Sequence, residues 1–213
     1  KDWFVRTAGD AMVFEFKSDH IQKSRRLPLP SLRGTHQQRN AALALAALEM
    51  LPGFDVSDSA AALGLKSAKW PARLQRLRHG PLVDLLPVGW ELWLDGGHNA
   101  AAAKTIRSQT RPWRDKPLHL VFGMLNSKSP EDFLKALEAR IDLFRGVSIP
   151  GEENSLSAEQ VCQAALDWRM NAEPSTDVAA AVAHIIATSG QPTGRILIAG
   201  SLYLAGTILR DND

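Results

Sequence analysis

An aspartate, two glycines, a histidine and an asparagine follow one another at Asp95-Gly96-Gly97-His98-Asn99, where an apolar run from Trp90 to Leu94 gives way to an alanine-rich stretch. An acid, a flexible backbone and an imidazole at a strand-to-helix junction make a candidate ligand site. Ligands of open α/β sheets gather at the carboxyl ends of strands, and a helix starting there turns its free N–H groups and positive dipole end toward an anion. The chemistry this suits is binding of a nucleotide or an acidic substrate. The same residues also make an ordinary turn or helix cap, so their context has to decide.

That context includes Gly123-Met124-Leu125-Asn126-Ser127-Lys128, Ser148-Ile149-Pro150-Gly151 and Gly200-Ser201-Leu202-Tyr203, each just past an apolar run. A parallel sheet brings such ends to one rim. There glycine permits close backbone approach, and Lys128 can neutralise a phosphate or carboxylate. Ser201 either caps its helix or donates to a ligand. Tyr203 either packs with its hydroxyl at the edge or reaches a ligand. Arg73, beside Trp70-Pro71, is a hinge ion-pair donor or a ligand contact. Asn40 lies among Ala and Leu in a helical pattern, where an amide is a poor filler unless it meets a partner. No second His/Asp pair at ligand spacing accompanies Asp95 and His98, so no metal ligands are assigned.

These rims presuppose elements that hold them. From Arg73 onward, strand-like runs at 82–86, 91–94, 118–122, 143–149, 170–172 and 195–199 alternate with helical patterns over 99–110, 130–140, 158–168, 177–188 and 202–209. Such alternation predicts an α/β domain, a mostly parallel sheet with helices on both faces. Ser129-Pro130-Glu131-Asp132 and Ser157-Ala158-Glu159-Gln160 read as capped helix starts. The earlier part of the chain is different. Trp3 to Phe16 alternates around Gly9-Asp10 as a hairpin does, and Leu27 to Pro30 reads as a proline-rich link. A helix with a capping-box start at Thr35-His36-Gln37-Gln38 is expected to run to Pro52-Gly53, and a shorter one from Ser57 to near Gly64. A hinge at Ser67 to Pro71 divides the chain into residues 1–68 and 69–213.

Composition bounds the class. The 213 residues are 45% hydrophobic, ample for a packed core. The 25 basic and 23 acidic residues leave a net charge of +2, which supports neither a general nucleic-acid binder nor a membrane-surface binder. Any anion site must be local. No run approaches the ~18 apolar residues of a membrane helix, and Lys1-Asp2-Trp3 resembles neither a signal nor a transit peptide. Cys162, the single cysteine, cannot form an internal disulfide, which points to a reducing, cytoplasmic compartment. The six tryptophans read as core or domain-contact residues. The chain begins without methionine, directly inside strand-like sequence, as a piece of something longer would.

Five ordered segments carry a family resemblance that covers essentially the whole chain. They are Leu32-Arg33-Gly34-Thr35-His36-Gln37-Gln38-Arg39-Asn40-Ala41-Ala42, Trp70-Pro71-Ala72-Arg73-Leu74-Gln75, Leu94-Asp95-Gly96-Gly97-His98-Asn99, Val121-Phe122-Gly123-Met124-Leu125 and Ile198-Ala199-Gly200-Ser201. In this order they resemble the folylpolyglutamate synthase/dihydrofolate synthase family of the Mur ligase superfamily. The resemblance implies an ATP-dependent carboxylate–amine ligase: the carboxylate of dihydropteroate or a folate is phosphorylated, and the amine of L-glutamate attacks the acyl phosphate. It implies ATP and Mg2+ as cofactors. It puts Asn40 on adenine, Arg73 on the phosphates or ribose, and Asp95 on the ribose hydroxyls. His98 and Lys128 become the catalytic candidates near the phosphates or the incoming amino acid, with Ser201 and Tyr203 on the glutamate side.

The family architecture pairs an ATPase domain bearing a glycine-rich phosphate loop with a Rossmann-like domain that closes over the nucleotide. No G-x-x-x-x-G-K-[ST] occurs in this sequence. Residues 1–68 therefore read as the tail of the central ATPase domain and 69–213 as the Rossmann-like C-terminal domain. Cradle and metal ligands fall to an N-terminal partner domain, and this piece alone is expected to be inactive. There are departures from the family pattern: Gly97 replaces alanine, Ala100 replaces proline, Ser127 and Ser129 replace aspartates around Lys128, and Ala72 stands where glycine is usual. Rival readings are a Mur-type ligase of cell-wall precursors, a non-catalytic nucleotide-binding module and a metal-dependent hydrolase built on Asp95 and His98.

Overall fold

A computed structural model describes residues 2–32 and 34–212. Lys1 of the leader comparison and Arg33 of the first family segment lie outside the described residues. The chain forms two compact units, Lys1–Trp70 and Pro71–Asp213.

The first unit is a three-stranded antiparallel meander with two helices on one face. Strands β1 (Asp2–Ala8) and β2 (Ala11–Lys17) make the expected hairpin, with Trp3 opposite Phe16. Residues 27–30 do not form a free link: Gln22–Pro28 is a third strand, β3, paired along its length with β2. Its polar sequence hides it, because one inward position is Arg25. That guanidinium is buried and joins β3 to the helices through Glu49 at 3.0 Å, Asp58 at 2.8 Å and the Val56 carbonyl. Met12, Phe14, Phe16 and Leu27 pack on Leu45, Ala46, Ala61 and Leu65 of helices α1 (Thr35–Glu49) and α2 (Asp58–Ser67). The capping box expected at Thr35 is not formed. Gly34, at φ 106°, is the N-cap, and it makes no side-chain cap. At α2 the Ser57 side chain does cap, accepting from the Ala60 N–H at 3.2 Å.

The second unit is built on a six-stranded sheet in the order β4-β5-β9-β6-β7-β8. The strands are β4 (Gln75–Leu77), β5 (Glu91–Leu94), β6 (Leu118–Phe122), β7 (Phe144–Gly146), β8 (Ala172–Pro174) and β9 (Arg195–Ala199). All neighbours run parallel except β4, which pairs antiparallel with β5 at the edge. Strands β6 and β9 are buried throughout and alternate their side chains between two cores. Leu118, Leu120, Phe122, Leu197 and Ala199 face α4 (Ala100–Thr110), α5 (Pro130–Leu134) and α6 (Ala158–Asp167). Val121, Ile196 and Ile198 face α3 (Pro81–Asp84), α7 (Val178–Thr188) and α8 (Leu202–Asp211). This is the mostly parallel, two-face-covered α/β sheet that the alternation predicts.

Several local expectations are corrected. Residues 82–86 are not a strand. Gly80 at φ 98° turns the chain, Pro81 opens a short helix, and the buried Asn212 side chain accepts the Leu82 N–H at 3.1 Å. The antiparallel strand lies earlier, at β4. The expected helix over 130–140 stops at Leu134 and continues through turns that bury Leu134 and Leu137 together, ending in a 3-10 turn at Glu138–Arg140. Ser129 does not cap it; its hydroxyl donates to Glu131 at 2.7 Å. Ser157 forms the full capping box with Gln160. Strand β7 is shorter than the apolar run 143–149, and β8 begins at Ala172, where 170–172 was expected.

The amino ends of the strands are pinned by charge. Glu91 of β5 accepts from Arg195 of β9 at 2.9 Å and from Lys116 at 3.0 Å, while Asp115 takes the Arg195 fork at 2.8 and 3.0 Å. Burial pushes the Glu91 carboxyl up, but hydrogen bonds from Lys116, Arg195 and Trp93 outweigh it and hold its pKa down at about 2. With one end so anchored, the glycine-rich loops collect at the other.

Candidate functional site

At the carboxyl rim, backbone hydrogen bonds lace three neighbouring strand ends together. The Gly200 N–H donates to the Gly97 carbonyl at 3.0 Å, and the Gly123 N–H donates to the Ala199 carbonyl at 3.2 Å. The loops after β5, β9 and β6 therefore lie side by side, as the strand order requires. Gly200 makes this approach possible. Its φ is 113°, and a Cβ there would stand 2.4 Å from the Gly123 carbonyl oxygen. The next loop joins in through the Leu125–Ser155 bridge and the Asn126 N–H donated to the Asn154 carbonyl at 2.8 Å.

Asp95 sits at the end of β5 with 7% exposure. Its Oδ1 accepts the Gly97 N–H at 2.7 Å, and its Oδ2 accepts the Leu74 N–H at 2.9 Å. Asp95 is thus the hub of two loops and is not the cap of α4. That cap is Asn99, whose side chain accepts from the Ala102 N–H at 2.9 Å. Gly97, in place of the family's alanine, fits this bend: a Cβ there would meet Asp95 Oδ1 at 2.9 Å and Ala102 Cβ at 2.9 Å.

Arg73 rides on the turn that Asp95 grips. It is half-buried, between Ala72 at φ 54° and Leu74 at φ 40°. The Gln75 side chain accepts the Ala72 N–H at 2.9 Å, and the Gly96 N–H returns to the Ala72 carbonyl at 2.9 Å. Sequence reasoning assigned no role to Ala72, Leu74 or Gln75 beyond noting alanine in glycine's usual place. That alanine was the available signal, since it stands in the left-handed region that glycine favours.

The remaining residues fall as follows. His98 is half-buried, with Nδ1 3.2 Å from the Gly96 carbonyl, so Arg73, Asp95 and His98 come together on one stretch of rim. Ser201 is buried beside it, and its Oγ accepts the Tyr203 N–H at 3.0 Å as the N-cap of α8. This leaves the hydroxyl hydrogen as a donor. Tyr203 is exposed on the first turn of α8, which leaves the ring outside the core. Lys128 is exposed in the loop after β6, its backbone N–H donating to the Leu125 carbonyl at 3.1 Å. Asn40 belongs to the first unit, exposed on α1, with Nδ2 donating to Gln37 at 3.1 Å. Among the described residues no group of three His, Cys, Asp or Glu can hold a metal ion. Asp95, the acid of that stretch, already accepts a backbone N–H on each of its two oxygens. A metal site built on Asp95 and His98 does not fit.

A mostly parallel sheet covered on both faces, with glycine loops, two capped helix starts and an arginine-bearing turn at one rim, defines an open α/β domain, a class whose ligands gather at that rim. The chain belongs to the dihydrofolate synthetase family: the pattern of that family's C-terminal domain matches residues 87–211. It is 29% identical over 182 residues to the dihydrofolate synthase/folylpolyglutamate synthase of Bacillus subtilis (strain 168), covering 84% of this chain and 39% of that one. Among solved structures it is similar to E. coli FolC in complex with DHPP and ADP, with a TM-score of 0.73 and 25% identity over 98% of this chain and 45% of that one. It is also similar to Mycobacterium tuberculosis folylpolyglutamate synthase complexed with ADP and AMPPCP, with a TM-score of 0.71 and 26% identity over 97% of this chain and 46% of that one. The chain spans less than half the length of these relatives. Among the described residues no helix is long and apolar enough to cross a membrane.

Proposed function

We propose that this chain supplies the C-terminal part of a cytoplasmic, ATP-dependent ligase that joins L-glutamate to dihydropteroate, to folates, or to both. The observation that carries the reading is the laced rim, in which Arg73, Asp95, His98 and Ser201 share one edge of a sheet whose family is folate-linked. The ADP-bound relatives support nucleotide binding. A single cysteine, buried in α6, agrees with a reducing compartment.

In this reading residues 1–68 are the end of the central ATPase domain and 69–213 the Rossmann-like closing domain. The γ-phosphoryl group passes to the acceptor carboxylate and ADP leaves. The amine nitrogen of glutamate then attacks the carbonyl carbon, the bond to phosphate breaks, and the amine loses a proton. Such steps rest on alignment and on positive groups at the developing charge. Asn40 contacts adenine, and Arg73 with Asp95 forms the ribose and phosphate wall. His98 and Lys128 face the transferred phosphoryl or the incoming amine, and the α8 start with Ser201 and Tyr203 takes the glutamate side. Magnesium would offset phosphate charge, its ligands falling mainly to the N-terminal partner domain.

The test is turnover by the natural full-length protein given ATP, magnesium, L-glutamate and either dihydropteroate or tetrahydrofolate. Mass spectrometry should find a product one glutamyl group heavier, with one ADP formed per amide. Failure with both acceptors overturns the proposal.

A further inference from the structure

We infer that Asp95 is a positioning residue, whose carboxylate holds the left-handed turn presenting Arg73 on the rim. This deepens the proposed function and rests on its reading that Arg73 meets the nucleotide. Two non-glycine residues in the left-handed region, Ala72 at φ 54° and Leu74 at φ 40°, bracket Arg73. Side chains of L residues avoid that conformation, and it persists only where surrounding structure over-determines it. Here the surroundings are identifiable. Asp95 Oδ2 accepts the Leu74 N–H at 2.9 Å, Gln75 accepts the Ala72 N–H at 2.9 Å, and the Ala72 carbonyl accepts the Gly96 N–H at 2.9 Å. Beyond Gln75, pairing with Leu94 fixes the turn to the strand that Asp95 terminates.

The other carboxylate oxygen accepts the Gly97 N–H at 2.7 Å, so one buried charge ties the Arg73 turn to the His98 loop. Charge-assisted hydrogen bonds are the stronger kind, and burial strengthens them further. A carboxylate committed through both oxygens to backbone donors shapes loops first. Its influence on the nucleotide then passes through Arg73.

A double-mutant cycle in the full-length ligase separates these roles, with KM measured for ATP and for 2′,3′-dideoxy-ATP. Asp95→Ala should raise both KM values by the same factor, on the order of tenfold, as expected for loss of a charged hydrogen bond. In an Arg73→Ala background it should add less than about twofold. Asp95→Asn, which keeps one acceptor oxygen, should fall between, and it carries the cycle if Asp95→Ala does not fold. In the 213-residue chain, the Leu74 and Gly97 amide protons should move upfield in both variants. An Asp95 effect that vanishes with the dideoxy nucleotide, or that adds fully to Arg73→Ala, overturns the inference. Should Arg73→Ala leave the ATP KM unchanged, the nucleotide reading of Arg73 fails instead. The Leu74 amide then decides the positioning claim: a shift upholds the clasp and an unmoved signal refutes it.

Discussion

Replacing Gly200 with alanine adds one methyl group at the point where three strand ends meet. The backbone there has φ 113°, a conformation close to glycine-only that costs another residue about 1–3 kcal/mol. The new Cβ would also lie 2.4 Å from the Gly123 carbonyl oxygen and 2.8 and 2.9 Å from two ring carbons of Phe122. A backbone oxygen cannot swing aside, and Phe122 is fully buried, so overpacking adds about 1–3 kcal/mol. Together the loss is about 2–6 kcal/mol, a large part of the 5–15 kcal/mol typical of a domain. Gly151→Ala is the control. Its φ is 77° with nothing within 4 Å of an added Cβ, so it should cost only about 1 kcal/mol. Urea unfolding of the two variants, followed by tryptophan fluorescence with Trp90, Trp93 and Trp113 reporting on the second unit, measures both. A Gly200→Ala variant as stable as Gly151→Ala would refute the tight lacing of the rim.

Two further predictions concern the sheet away from the rim. His119 is buried in β6, stacked on Trp90 at 5.6 Å, and neither ring nitrogen has a hydrogen-bond partner among the described residues. Burial lowers its pKa, so the folded state binds fewer protons than the unfolded state, and stability present above about pH 6.5 declines as pH falls. His119→Phe keeps the stack, should stabilise by about 1 kcal/mol, and should flatten the stability profile between pH 7 and 5; an unchanged profile removes His119 as its source. Glu91, with pKa lowered to about 2, contributes stability that is present above the ordinary glutamate value of 4.5 and lost as pH falls toward 2. Glu91→Gln should therefore lower stability at pH 7 and shallow the acid limb of unfolding, and an acid limb as steep as the wild type's contradicts that role.

The central strands were legible because burial on both faces writes them as unbroken apolar runs: β5, β6 and β9 have the predicted bounds. Caps read well where the partners lie within one helical turn, as for Ser157 with Gln160. Reading failed where tertiary partners decide. β3 is a strand because Arg25 finds Glu49 and Asp58, and Pro81 opens a helix because Asn212 arrives from the far end of the chain. Ser129 misled because a nearby Glu131 takes its hydroxyl. At the site, motif spacing named Arg73, Asp95 and His98, but no sequence pattern states that a carboxylate is committed to two backbone N–H groups. That fact depends on the return of β4 against β5, a strand of three residues without an apolar pattern.

Calorimetric titration with ATP, made in parallel on the 213-residue chain and on the natural full-length protein, tests most directly whether this chain carries one wall of a divided nucleotide site. Binding should be weak or undetectable for the chain alone and appear in the full-length protein, weakened there by Arg73→Ala. Tight ATP binding by the chain alone, or full-length binding indifferent to Arg73→Ala, would contradict it.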